Sequence, residues 1–250
     1  MYHLFQVIFY QPILNLVIFL YNYITFQDLG LAIIILTIII KALLWPLSKK
    51  SIKSQKSLQA IQPKIDALKK EYKDNKQEMG QALMRLYKEN KVNPFSSCLP
   101  LLIQLPFFIA VFRVFKDGID KHLELVYPFI SAPENIDSIF LGIMDLSKPV
   151  IYLAILAGAA QFWQAKMMMT KNKKAVAPSD SKTESMTAIM NKQMLYFMPA
   201  LTIFIGVTLP GGLTLYWFVL TLLTILQQFL VNKKDDGGGQ NNIVEGEVVS

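Results

Sequence analysis

Apolar blocks longer than a globular core requires dominate this 250-residue chain, at roughly 29–46, 97–115, 149–167, 194–209 and 213–231. About 20 residues rising ~1.5 Å each cross a hydrocarbon layer ~30 Å thick, so runs of this length read as membrane-spanning helices. With 53% hydrophobic residues and a mean hydropathy of +0.36, the expected fold is an all-α polytopic membrane protein with five core spans.

Charge sets the expected orientation. Between Leu47 and Phe95 lie twelve basic and five acidic residues, and from Lys166 to Lys192 six and two. The segment Lys116–Lys148 reverses the balance, three basic to six acidic, and the link at 209–213 is uncharged. Basic loops stay in the cytoplasm. The alternation therefore places the N-terminus outside and the C-terminus in the cytoplasm, without a nucleic-acid partner to explain the net charge of +7. One cysteine and two histidines exclude an internal disulfide and make a metal centre improbable. No cofactor is expected. No GxxxxGK[ST] loop, HExxH pair or carboxylate dyad in the spans suggests an enzyme.

The expected order along the chain begins with an amphipathic helix over 1–27 lying on the outer face, with a sixth span as the alternative, which Gln6, Gln11, Pro12, Asn15 and Asn22 would interrupt. A first span (28–47) leads to a cytoplasmic helical hairpin (48–94). Its seam Leu58, Ile61, Ile65, Leu68, Tyr72 is spaced 3, 4, 3, 4, and Met79, Leu83 and Leu86 supply the facing one. The motif KDNKQ forms its turn, and Pro63 predicts a kink or restart. A second span (95–115), an extracytoplasmic loop (116–148) and a third span (149–168) follow. The chain is completed by a cytoplasmic loop (169–192), a fourth span (193–209), a turn and fifth span (210–231), and a disordered tail (232–250). The hairpin reads equally as a solvated helical loop or as a docking device, with Lys64, Lys69, Lys70 and Arg85 as contacts.

Lys41 is the residue composition does not explain: it is the one cation in AIIILTIIIKALLW. A charge at the bilayer centre costs about 2.5–3.5 kcal/mol and usually faces a bundle interior or a wet cavity. Lys41 also stands close enough to Pro46 for its stem to snorkel to the headgroups. Thr37, Gln104, Gln161, Gln193 and Thr214, with Thr202, Thr221 and Gln227, sit at membrane depth in several spans and together point to a groove open to the cytoplasm.

The stretch LQAIQPKIDALKKEYKDNKQEMGQALMRLYKENKVNPFSSCLPLLIQLPFF resembles the cytoplasmic hairpin and following span of the YidC/Oxa/Alb membrane protein insertase family. FYQPILNLVIFLYN and GLAIIILTIIIKALLWPLSKKSIKSQKSLQ are similar to its surface helix and first core span. QMLYFMPALTIFIGVTLPGGLTLYWFVLTLLTILQQFL is similar to its last two spans, with the Pro-Gly-Gly-Leu turn and Tyr216-Trp217. The likeness covers Phe9 to Leu230. It suggests the bacterial short form, without a large periplasmic domain, in a plasma membrane.

The resemblance implies five core helices around a hydrophilic groove open to cytoplasm and lipid. Lys41 would be the groove cation, which is most often arginine in the family, and Trp217 would belong to the same groove. It implies insertion of nascent membrane proteins with short, often acidic tails. Further implied partners are membrane lipids, a Sec-type translocon, signal recognition machinery and the ribosome. Lysine keeps the positive charge but not the forked guanidinium geometry. The rival reading is a small-solute transporter or channel with Lys41 as its intramembrane site.

Overall fold

The computed structural model describes residues 2–73, 75–97, 99–133, 135–169 and 193–237. Helix α1 (His3–Tyr23) widens to a π turn over Gln6–Tyr10, immediately before Pro12, which has no N–H to give. The same happens in α8 (Gln193–Gly206), whose π turn Gln193–Phe197 precedes Pro199.

Helix α2 (Leu29–Leu43) starts at Asp28, whose carboxylate accepts from Leu31 N at 2.9 Å. It stops at Leu44, and α3 (Trp45–Ala60) leaves at 67°. Pro46 accounts for the break: it lacks a donor, and its ring crowds the carbonyl one turn back.

A second break at Ile61, with Pro63 at the next helix start, separates α4 (Gln62–Glu71) from α3. Helix α5 (Lys76–Glu89) is capped by Asn75, which accepts from Glu78 N. Together α4 and α5 form a hairpin over its own small core of Ile61, Ile65 and Leu86, with Leu58, Leu68 and Leu83 packed around them. Met79, expected in the seam, is not part of this cluster.

The remaining helices are α6 (Leu99–Asp117), α7 (Ile151–Met169) and α9 (Gly211–Gly237). Between α6 and α7, two short strands, β1 (Ile139–Phe140) and β2 (Met144–Asp145), pair antiparallel inside the loop expected over 116–148. Helix α9 continues through residues placed in the tail, to Gly237. The rest of that tail, most of the 169–192 loop and Cys98 lie outside the described residues.

Helix α7 lies along α8 and α9, α9 lies along α2, and α2 along α1, which also meets α6. The main core joins Leu14 and Val17 of α1 to Ile33 and Leu36 of α2, Val111 and Val114 of α6, and Leu213 and Tyr216 of α9. The turn into α9 is tight. Gly211 N donates to Lys148 O at 2.8 Å, and a Cβ on Gly211 would lie 2.8 Å from Val150 Cγ2.

Among the described residues His3–Tyr23 and Gly211–Lys233 are long and apolar enough to cross a membrane, and so is the bent pair α2–α3 counted as one span. Large apolar side chains stay exposed along α2, α7 and α9, including Ile38, Leu43, Ile155, Leu156, Leu222 and Phe229. In water such a surface would aggregate; in a bilayer it is the lipid-facing wall. This is a helical membrane protein.

Candidate functional site

Where α2 breaks, residues of α2, α3, α6, α7 and α9 line a cavity of about 260 Å³. Lys41, Ser48, Gln55, Gln104, Gln164, Trp217, Thr221, Thr224, Gln227 and Gln228 supply its polar and aromatic lining, with Ile52, Met168 and Leu220. Lys41, in the last turn of α2, is 7% exposed. Its Nζ donates to Thr224 Oγ1 at 2.9 Å, and Thr224 in turn donates to Leu220 O at 2.7 Å. No carboxylate among the described residues lies within ion-pair distance of Lys41.

Two glutamines give the cavity its second feature. Gln227 is 0% exposed and donates through Nε2 to Trp45 O at 3.2 Å, bracing the break between α2 and α3. Its Oε1 has no hydrogen-bond partner among the described residues. The same holds for Oε1 of Gln228, which is 4% exposed. A buried amide carbonyl left unpaired costs about 1–3 kcal/mol, so two side by side with a buried ammonium are not explained by packing. Gln104 Nε2 donates to the hydroxyl of fully buried Tyr216 at 2.5 Å, fixing α6 to α9 at the cavity wall.

Of the residues expected at the groove, the structure brings together Lys41, Gln104, Trp217, Thr221 and Gln227. Thr37 lies elsewhere. It is fully buried and spends its hydroxyl on Ile33 O of its own helix at 2.6 Å. Gln161 accepts from Thr202 and ties α7 to α8. Thr214 donates to Gly206 O at 3.3 Å beside the α8–α9 turn, and Gln193 is exposed at the start of α8. Within α7–α9, Gln161 and Thr214 therefore act as interhelical hydrogen-bond links.

Sequence reasoning did not select Ser48, Gln55, Gln164, Thr224 or Gln228. A signal for the last two was present. Trp217, Thr221, Thr224 and Gln228 are spaced 4, 3, 4, which draws one polar stripe down an otherwise apolar helix.

In the hairpin, Lys64 and Arg85 line an open cleft of about 600 Å³ between α4 and α5, with Tyr72, Glu78 and Glu89. Lys69 and Lys70 are not part of that lining.

The opposite end of the bundle is closed by a different use of amides. Asn15, 2% exposed, donates to Gln11 O at 2.8 Å and Leu125 O at 3.0 Å, and accepts from Tyr127 N at 2.6 Å. Gln11 Nε2 also reaches Leu125 O at 3.0 Å, and Asn22 reaches Ser131 O at 2.6 Å. The polar residues that interrupt α1 in sequence are thus its clasp on the loop between α6 and α7.

Comparison with known proteins adds the lineage. A family model described as 60Kd inner membrane protein matches residues 19–238. The chain is 38% identical over 226 residues to the membrane protein insertase YidC of Pelobacter propionicus, covering 89% of this chain and 38% of that protein. It is 37% identical over 226 residues to the protein of that name from Syntrophus aciditrophicus, covering 90% and 36%. With the one from Rickettsia africae, identity is 34% over 228 residues, covering 89% and 38%. The chain thus spans well under half the length of these curated relatives. Apolar helices and family together make it an inner-membrane protein, and the chain belongs to the 60Kd inner membrane protein family.

Proposed function

We propose that the chain inserts newly made membrane proteins, receiving a client's short polar tail in the cavity at Lys41. The observation that carries this reading is a buried ammonium with no carboxylate partner among the described residues, beside two unpaired glutamine carbonyls. Such a site is furnished for a polar guest. The names of the relatives, membrane protein insertase, support the same reading.

In this proposal five spans surround the cavity: the bent α2–α3 pair, α6, α7, α8 and α9. The N-terminus faces outward, and the α4–α5 hairpin lies in the cytoplasm. A client tail enters from the cytoplasm and meets Lys41, Gln104 and Trp217, while its apolar segment slides along the exposed helices into lipid. At ~4 Å and an effective dielectric of ~20, an ammonium attracts a carboxylate by about 4 kcal/mol, against about 1 kcal/mol in water. That exceeds the ~2.5–3.5 kcal/mol an Asp costs at the bilayer centre, so the tail's crossing is no longer uphill. Hydrophobic transfer of the client segment then drives release. The hairpin cleft, with Lys64 and Arg85, is the proposed contact for delivery machinery such as a ribosome, a signal recognition particle or a Sec-type channel.

The test is insertion of a single-span client with an acidic tail into liposomes carrying the full chain. Lys41→Met lowers insertion at least about tenfold, equivalent to ~1.4 kcal/mol, and Lys41→Arg retains it. Unchanged insertion by the Met variant removes Lys41 from the mechanism. Flux of a small solute through the chain without a client would instead favour transport.

A further inference from the structure

Two tight turns at the end of the bundle where α2 begins expose apolar side chains that nothing among the described residues covers. The first joins α1 to α2. Ile24 N and Thr25 N both donate to Leu20 O at 3.0 Å, and Gln27 N donates to Tyr21 O at 3.1 Å. The buried Thr25 hydroxyl donates to Asp28 O at 2.9 Å. This framework holds Phe26 in the left-handed region (φ 52°), a conformation bulky residues rarely adopt, with its ring 97% exposed.

The second turn joins β1 to β2. Leu141 (φ 51°) and Gly142 (φ 70°) reverse the chain, and Ile143 N closes on Phe140 O at 3.0 Å. Leu141 is 59% exposed and Ile143 86%.

One carboxylate ties the two turns together. Asp28 caps α2 through Leu31 N and accepts from Leu141 N at 2.8 Å. Phe140 packs directly on Gly30, where a Cβ would meet its ring at 2.0 Å. The tips are therefore held level with the first turn of α2, where an apolar span meets its first polar residue. No charged residue interrupts ITF or IFLGI. A water-exposed loop would gain nothing from strained, apolar tips, whereas tips level with the start of an apolar span reach the boundary of the bilayer.

We infer that Phe26, Leu141 and Ile143 form a lipid anchor, seated at the headgroup–acyl boundary of the membrane face where α2 begins. Buried apolar area drives seating of this kind, and aromatic side chains favour that boundary. The anchor fixes the loop between α6 and α7 relative to the bilayer. It requires only that the chain sits in a membrane, and it is independent of any role for Lys41.

The test uses the full chain in phosphatidylcholine–phosphatidylglycerol liposomes, with Cys98→Ala and nitroxide labels at Phe26→Cys, Ile143→Cys and, as the control, exposed Asn135→Cys. Power saturation compares collision with oxygen, which concentrates in the bilayer, against a water-soluble nickel complex. The anchor predicts that oxygen dominates at 26 and 143 and nickel at 135. Nickel dominating at 26 and 143 overturns it. Shielding of both positions from both reagents also overturns it, assigning the patch to a second copy or another protein. Labels at two separate turns keep the test decisive if one variant folds poorly.

Discussion

Asn15 in α1 and Gln228 in α9 are both buried amides in apolar helices, and the fold treats them in opposite ways. Asn15 uses its oxygen and its nitrogen to hold the backbone at 125–127, so that end of the bundle is sealed by completed hydrogen bonds. Gln228, like Gln227, keeps a carbonyl oxygen buried without a hydrogen-bond partner among the described residues, in the cavity where the Lys41 ammonium donates to a threonine. A satisfied buried amide holds structure together. An unsatisfied one lowers stability unless a water, an ion or a guest completes it. On the function proposed above, this difference makes the sealed end architecture and the Lys41 end the working site.

Substitutions sharpen this contrast. Asn15→Leu leaves Tyr127 N–H buried without an acceptor, and thermal unfolding in detergent should show a loss of about 2–3 kcal/mol. Gln228→Met removes an orphan carbonyl at nearly constant volume. Its predicted stability change is close to zero or favourable by less than ~1 kcal/mol, while client insertion falls. Equal destabilisation by both would break the comparison.

A smaller effect is expected at Asp145. Lys148 Nζ at 2.8 Å, the Ser147 hydroxyl and amide, and the Ser138 hydroxyl hold its carboxyl well below the usual carboxylate range. A depressed pKa in the folded state contributes stability above the unfolded value near ~3.9, and that stability is lost as pH falls below it. The protection of the Ser147 amide relative to its intrinsic exchange rate should then be equal at about pH 7 and pH 5 and should fall below about pH 4. Asp145→Asn should abolish that step.

Sequence periodicity made the hairpin legible because its seam repeats at 3 and 4 residues in a polar background, where apolar positions stand out. Lys41 was legible for the converse reason, a lone charge in an apolar run. Most of the cavity was not, because polar residues in a membrane helix carry the same letters whether they line a void or bridge a neighbour. Thr37 and Thr224 show this. One hydroxyl is bonded to its own helix and shut in the core, and the other receives the Lys41 ammonium. The sequence puts Thr224 on a polar stripe of α9, and the packing of α9 against α2 and α3 turns that stripe toward Lys41. The β1–β2 ribbon was hidden by its length, since strands of two residues have no alternation to detect.

In the proposed function water reaches one end of this bundle and not the other. Single cysteines at 224 and 228, and at 15 and 37, in a Cys98→Ala background would be treated with a membrane-impermeant maleimide from each side of the membrane. Labelling is expected at 224 and 228 from the cytoplasmic side only, with 15 and 37 protected from both. Protection of 224 and 228 from both sides would contradict it, leaving Lys41 in a dry interior with no route for a client.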